Sequence, residues 1–338
     1  MTSYERVKRT IYFKQPDRIP HYLPDGLEND ILWLAPWTMG DNSQPPDQQG
    51  WQQYGSVQRR LDAWGVTWER STMGQTNMGQ AKGYPITDLA GQEDYTFPSR
   101  NDRVYYRSHQ RAIDQNKDAT NPKYVLGVPG FASLNEGVHN IVGLETMFTA
   151  YYEQPEHLKA LIGRFARQQQ ESIRLLAELG CDGVMAYDDW GLQDRLMVSR
   201  SLIEEFFMPH YRQNWQLAHD LDLDVWLHSC GYIIDLLPEF HHAGLDVIQM
   251  DQQENMGLEN LSRIAGGKLA FWCPVDIQKN SSREKPQEIE RYVKKMMATL
   301  GNHKGGLISM AYTSPEAIEL SPDRIAVMCH AFRKYGCY

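Results

Sequence analysis

Apolar and polar positions divide this chain into two halves of different texture. From residue 124 onward, short apolar runs alternate with longer amphipathic segments. The apolar runs lie at 124–131, 183–187, 224–228, 246–250, 268–273 and 306–311. Runs of this length between helical stretches read as strands buried on both faces of a parallel sheet. The segments between them carry the 3.6-residue spacing of helices, at about 137–151, 156–179, 200–221, 232–243, 257–265, 285–300 and 321–334. Ser199 stands as an N-cap and Pro155-Glu156 as N-terminal signals.

The first half is less regular. Residues 4–15 read as an amphipathic helix stopped at Pro16, 18–25 as a strand ending at Asp25, and 61–68 as a second strand. Residues 36–60 form an irregular, aromatic-bearing insertion expected over a mouth. Residues 70–123 are polar, with one helix around 99–117. Eight strand candidates and five consecutive βα units, without a Gly-x-Gly-x-x-Gly loop, predict a single-domain (β/α)8 barrel over residues 1–338.

Composition narrows the partners. The 338 residues carry a formal net charge of −9, which argues against nucleic acid, since phosphate binding needs a basic face. No apolar run approaches the length of a bilayer span, and the N-terminus lacks an apolar signal core. The expectation is a cytoplasmic protein acting on a small molecule. Five widely spaced cysteines do not make a disulfide framework.

In a barrel, chemistry gathers at the C-terminal ends of the strands. His228 and Cys230 stand two apart at one such end, so both side chains face the same space, and both suit zinc. Cys273, at a later strand end, is the expected soft third ligand, and Asp251, Asp276 or Glu136 could add oxygen. The alternative is a buried thiol beside a hydrogen-bonded histidine. Asp188 and Asp189 end the preceding strand and point to opposite faces, one into the mouth and one towards a cap. With His228 and Tyr312 they form the catalytic candidates, while Asp25, Trp68, Glu136, Gln193, Asp251 and Asp276 are expected around the substrate.

These pieces resemble the uroporphyrinogen decarboxylase superfamily. The resemblance is carried by Pro16-Asp-Arg-Ile-Pro20, Trp64-Gly-Val-Thr-Trp68, Asp188-Asp-Trp-Gly-Leu-Gln193, His228-Ser-Cys-Gly231, Val275-Asp-Ile-Gln278 and Ser321-Pro-Asp-Arg-Ile325. It implies a (β/α)8 barrel. Where the tetrapyrrole decarboxylases carry an arginine-bearing Met-Arg-Gln-Ala-Gly-Arg segment, this chain reads His21-Tyr-Leu-Pro-Asp-Gly26, which speaks against a polycarboxylate substrate. The remaining likeness is to corrinoid-linked methyltransferases, whose zinc is held by a His-x-Cys pair and a further cysteine after the eighth strand. His228 and Cys230 match the pair, but Ser309-Met-Ala-Tyr-Thr-Ser314 has no cysteine. The resemblance thus implies methyl transfer with zinc and a corrinoid carried by a separate protein. A homodimer is the expected assembly. Two alternatives stand beside it: a metal-free lyase or decarboxylase using Asp189 and His228, and a non-catalytic barrel that binds a tetrapyrrole or another small ligand.

Overall fold

The computed structural model describes residues 1–24, 26–35, 50–72, 79–279, 285–313 and 315–338. Helix α1 (Ser3–Ile11) opens the chain, capped by Thr2 and Glu5 in a reciprocal box. Two short strands follow, β1 (His21–Tyr22) and β2 (Ile31–Leu34). Four more, β3 (Gln52–Tyr54), β4 (Val57–Leu61), β5 (Thr67–Ser71) and β6 (Gln80–Gly83), form a separate antiparallel sheet. Then come α2 (Arg107–Lys117), β7 (Tyr124–Gly127), α3 (Asn135–Val142), α4 (Leu144–Glu153), α5 (Pro155–Leu179) and β8 (Gly183–Tyr187). The alternation continues through α6 (Arg200–Phe206), α7 (Met208–Asp220), β9 (Asp224–His228), α8 (Leu237–Ala243) and β10 (Val247–Gln249). It ends with α9 (Leu258–Ala265), β11 (Ala270–Cys273), α10 (Pro286–Thr299), β12 (Leu307–Met310) and α11 (Pro322–Tyr335).

Eight strands pair in parallel in the order β1-β12-β11-β10-β9-β8-β7-β2. A Tyr22–Asn29 bridge and a 2.8 Å bond from the Asp30 N–H to the His21 carbonyl draw the two ends together. This is the predicted (β/α)8 barrel, nearly closed. The strands alternate in direction of burial. On β9, Val225 and Leu227 pack outward under the helices, while Trp226 and His228 face the barrel interior. Helix α1 seals the N-terminal end, where Lys8 Nζ (2.8 Å) and the Tyr12 hydroxyl (2.5 Å) both donate to buried Asp224. The opposite end is left for chemistry.

Several expected boundaries change. The segment 61–68 is not a barrel strand. Leu61 ends β4 and Trp68 lies on β5, in the antiparallel sheet that packs on the barrel through Trp64, stacked 5.7 Å from Phe165. The second barrel strand is β2, a four-residue apolar run too short to stand out in the pattern. The expected helix at 137–151 is two helices parted at Gly143, whose φ of 89° breaks the helical path. The expected helix at 200–221 divides at Phe207, just before Pro209. Most of the insertion, 36–49, lies outside the described residues, as does Asp25.

Candidate active site

Strands β8 and β9 pair in register, Tyr187 against His228, and the pairing continues past their ends. The Asp188 N–H donates to the His228 carbonyl at 3.0 Å, so extended geometry persists and the two aspartates diverge. Asp188 turns outward and is fully buried. Its carboxylate accepts from the Tyr211 hydroxyl at 2.6 Å, the Leu134 N–H at 3.0 Å and the Glu136 N–H at 3.1 Å. Burial pushes it up to about 7 against the pull of these donors. Asp188, expected among the reacting groups, therefore anchors the start of α3 and stands apart from them.

Asp189 turns inward. Its Oδ1 accepts the Cys230 N–H at 2.7 Å and lies 3.5 Å from His228 Nε2, which lies 3.4 Å from Cys230 Sγ. Ligand atoms of Asp189, His228 and Cys230 all fall within 4.8 Å of one another. Cys273 does not join them. It is buried in the layer between strands and helices, because Trp272 takes the inward phase of β11.

Two glycines bring the loops this close. The Gly191 N–H bonds the Cys230 carbonyl at 3.1 Å, and the Tyr232 N–H bonds the Leu192 carbonyl at 2.7 Å. A Cβ on Gly191 would meet the Tyr232 nitrogen at 2.2 Å, and Gly231 sits at φ +79° facing Gly191. Gly191→Ala is therefore expected to keep the fold but part the loops, lowering metal affinity roughly 10–100-fold, as loss of supporting structure does at other metal sites. Equilibrium dialysis against zinc measures it.

The histidine's tautomer is fixed from behind. Gln249, buried on β10, donates through Nε2 to Asp251 Oδ1 at 2.8 Å, so its Oε1 faces His228 Nδ1 and accepts that proton. Nε2 is the nitrogen that faces Cys230 and Asp189. Gln249→Leu should cost about 10–100-fold in metal affinity while Gln249→Glu retains most of it. Titration with a competing zinc chelator reads the difference.

The surroundings are acidic. Burial raises Glu136, and the charges of Asp189 and Asp188 raise it further. Burial also raises Asp251, with Asp189 and Asp276 adding to it and His228 opposing. Cys230 is raised by burial and then by Asp189, Asp251 and Glu136. Tyr312, pushed up to about 12 by burial and by Asp251 and Cys230, borders the same space. Among the described residues no lysine or arginine pairs with Glu136, Asp189 or Asp251.

The model of the family described as Uroporphyrinogen decarboxylase (URO-D) matches residues 134–335, more than half of the 338. The chain belongs to this family. Uroporphyrinogen decarboxylase of Nicotiana tabacum, the chloroplastic protein, is 28% identical over 109 residues, which are 31% of this chain and 26% of that relative. The URO-D family chain thus aligns with about a quarter of the relative's length. A solved structure, a methyltransferase from Methanosarcina mazei, overlays with a TM-score of 0.67 at 12% identity, covering 99% of both chains. At that identity the likeness shows the fold.

Other expected site residues of this URO-D family member part company. Asp276 spends its carboxylate on the N–H groups of Glu254, Gln278 and Lys279, at 2.9, 3.0 and 2.7 Å, and holds a loop. Gln193 lies exposed, 3.4 Å from Asn255 Nδ2. The Trp68 indole donates to Asp62 at 2.7 Å and lines a cavity of about 190 Å³ with Trp64 and Phe165, away from the expected strand end. Glu136, Asp251 and Tyr312 do gather around Cys230. Gln249 and Tyr187 do not stand out in the sequence, though both occupy inward positions of their strands, Tyr187 with its ring 5.6 Å from that of His228. The phase of alternation from Trp226 and His228 is the signal that could have found them.

Proposed function

We propose that this chain is a methyltransferase that moves a methyl group between a small substrate and a corrinoid held by a separate protein, with zinc at Asp189, His228 and Cys230. The observation that carries the reading is the convergence of one oxygen, one nitrogen and one sulfur donor within 4.8 Å at the open end of the barrel. Three protein donors would leave a coordination position for substrate, as at catalytic zinc sites. The donor set fits the metal on a second count. Gln249 engages Nδ1, which leaves Nε2 as the ring nitrogen that would join the Asp189 carboxylate and Cys230 around a metal. Bound there, zinc would supply Lewis acidity toward the heteroatom that gives or takes the methyl group.

The chain's own residues do the rest. Gln249 keeps His228 Nε2 available, and the Gly191–Gly231 contact holds Cys230 against Asp189. Glu136, which burial and neighbouring carboxylates keep protonated beyond the usual range, is placed to give a proton to a demethylated heteroatom. Tyr312 borders the substrate space. The acidic surroundings support a substrate without many carboxylates, unlike a uroporphyrinogen. The fold shared with the Methanosarcina mazei methyltransferase is compatible with the assignment.

The test measures zinc in the purified protein, then methyl transfer from candidate methylated substrates to a reduced corrinoid. Stoichiometric zinc and chelator-sensitive transfer are expected. Turnover of a small carboxylic acid that survives chelation would favour the metal-free lyase instead.

A further inference from the structure

The antiparallel sheet does not close completely on the barrel. A cavity of about 190 Å³ remains between the β4–β5 turn, the loop after β7 and helices α3 and α5. Four aromatic side chains wall it, Trp64, Trp68, Phe131 and Phe165. Their positions are fixed by contacts within the protein. Trp64 stacks on Phe165 at 5.7 Å, and Phe131 meets Trp64 edge to face at 5.1 Å. Asp62 holds the turn, accepting from the Trp64 and Val66 N–H groups at 2.8 and 2.9 Å and from the Trp68 indole at 2.7 Å. Two polar residues, Ser133 and Asn140, complete the wall, and among the described residues neither side chain makes a hydrogen bond. Trp64, Trp68, Ser133 and Asn140 are each partly exposed, so solvent reaches the cavity. The same segment of chain serves the candidate site. Glu136, whose carboxyl lies in the field of Asp189, precedes Gly137 by one residue and Asn140 by one helical turn, and both of these line the cavity. The carbonyl of Ala132, also in the wall, accepts the Tyr187 N–H at 3.0 Å.

Packing alone would fill such a space with side chains. Its volume exceeds the roughly 150 Å³ that holds a benzene ring in an apolar protein cavity, so it fits one ring with a small substituent. Preformed aromatic walls favour an aromatic ring over a saturated one. Among the described residues no lysine or arginine lines the cavity to offset an anion beside Asp62. We infer that this cavity is the ring subsite of the substrate and takes a small, uncharged aromatic compound that bears a methoxy group. The inference names the substrate class for the methyl transfer proposed above, a methyl aryl ether, and rests on that reading for the transfer but not for binding. The ether oxygen keeps lone pairs for a Lewis acid. In the transfer, the bond between oxygen and the methyl carbon breaks and its electron pair stays on oxygen. The electron pair of a cobalt(I) corrinoid forms the new bond to that carbon, and Glu136 gives the proton that completes the phenol.

Ligand-observed NMR titration of the full-length protein tests it with anisole, para-methoxyphenol, cyclohexyl methyl ether and benzoate. Anisole should bind about three- to tenfold tighter than cyclohexyl methyl ether, and benzoate more weakly than anisole. Ser133→Phe places a ring in the cavity and should weaken anisole at least about tenfold, with far-UV circular dichroism as the control for folding. Asn140→Leu, a change of similar volume, should leave anisole within about twofold but remove an advantage of roughly threefold that para-methoxyphenol holds over it. Equal binding of anisole and cyclohexyl methyl ether, tighter binding of benzoate, or full anisole affinity in a folded Ser133→Phe protein would overturn the inference. If Ser133→Phe does not fold, the ligand series and Asn140→Leu decide. If anisole binds and no methylated compound transfers its methyl group, the ring site stands and its role in transfer falls with the methyltransferase reading. If a methyl donor without a ring is turned over and anisole does not bind, that reading stands and the inference falls.

Discussion

His228→Ala should abolish stoichiometric zinc binding and lower methyl transfer by roughly a thousandfold, the loss of several kcal/mol of Lewis-acid stabilisation. The substitution removes the central donor, since Nε2 lies within 3.5 Å of both Asp189 Oδ1 and Cys230 Sγ. It should leave the fold intact. His228 ends β9 at the mouth, partly exposed, and the backbone bonds that join β9 to its neighbours do not use its side chain. Far-UV circular dichroism and thermal melting of the apo proteins check that control. Cys230→Ser should also lose most of the zinc, because an alcohol is a poor ligand where a thiolate is a strong one. Cys273→Ser should retain zinc, because Cys273 faces the helix layer. Retention of zinc by His228→Ala with loss by Cys273→Ser would sink the assigned site.

Asp30→Ala should destabilise the fold by about 3–5 kcal/mol, the loss seen when one partner of a buried ion pair is removed. The Asp30 side chain is about 1% exposed and stands between β1 and β2, where the barrel lacks a full ladder. It accepts from Arg6 Nη1 and Arg18 Nη1, both at 2.7 Å, and from the His21 N–H at 2.8 Å. Without it, two guanidinium groups lose a shared partner at the seam, and α1 loses one of its anchors. Urea unfolding followed by tryptophan fluorescence measures the change. The pH dependence follows the same contacts. Burial pushes the Asp30 carboxyl up, but hydrogen bonds and charge from Arg18 and the His21 N–H outweigh it and hold it below the usual range. A carboxylate so depressed adds stability that is present above its unfolded pKa of about 4 and lost as pH falls through the folded value. Asp17, held down to about 2 by its hydrogen bond from Arg6, acts in the same direction, though solvent screens this half-exposed group. The wild-type chain should therefore lose stability between about pH 4 and pH 2. Asp30→Asn should flatten that limb, and an unchanged acid limb in the variant would refute the assignment.

The Asp189-His228-Cys230 cluster and the barrel seam are unequally legible in the sequence. The six apolar runs from 124 onward can be read because burial on both faces leaves a local mark, and each corresponds to a barrel strand. Strand β2 escapes the pattern because four apolar residues carry little periodic signal, while 61–68 mimics a strand of the barrel and belongs to the antiparallel sheet. At the site, His228 and Cys230 are legible as a pair because two-residue spacing on a strand is local geometry. Glu136 and Tyr312 are placed at the mouth by strand order. Gln249 is not, since nothing in its own neighbourhood says that it lies behind a histidine 21 residues away.

By itself, the sequence determined the alternation of strand and helix, the end of the barrel that carries reactive side chains, and the His-Ser-Cys pairing. These are set by short-range patterns of burial and side-chain direction. Only the tertiary structure decided that Asp189 enters the mouth while Asp188 holds α3, and that Asp189, rather than Cys273, stands beside His228 and Cys230. Those choices depend on strand phase and on the approach of Gly191 to Gly231, contacts between residues far apart in the chain.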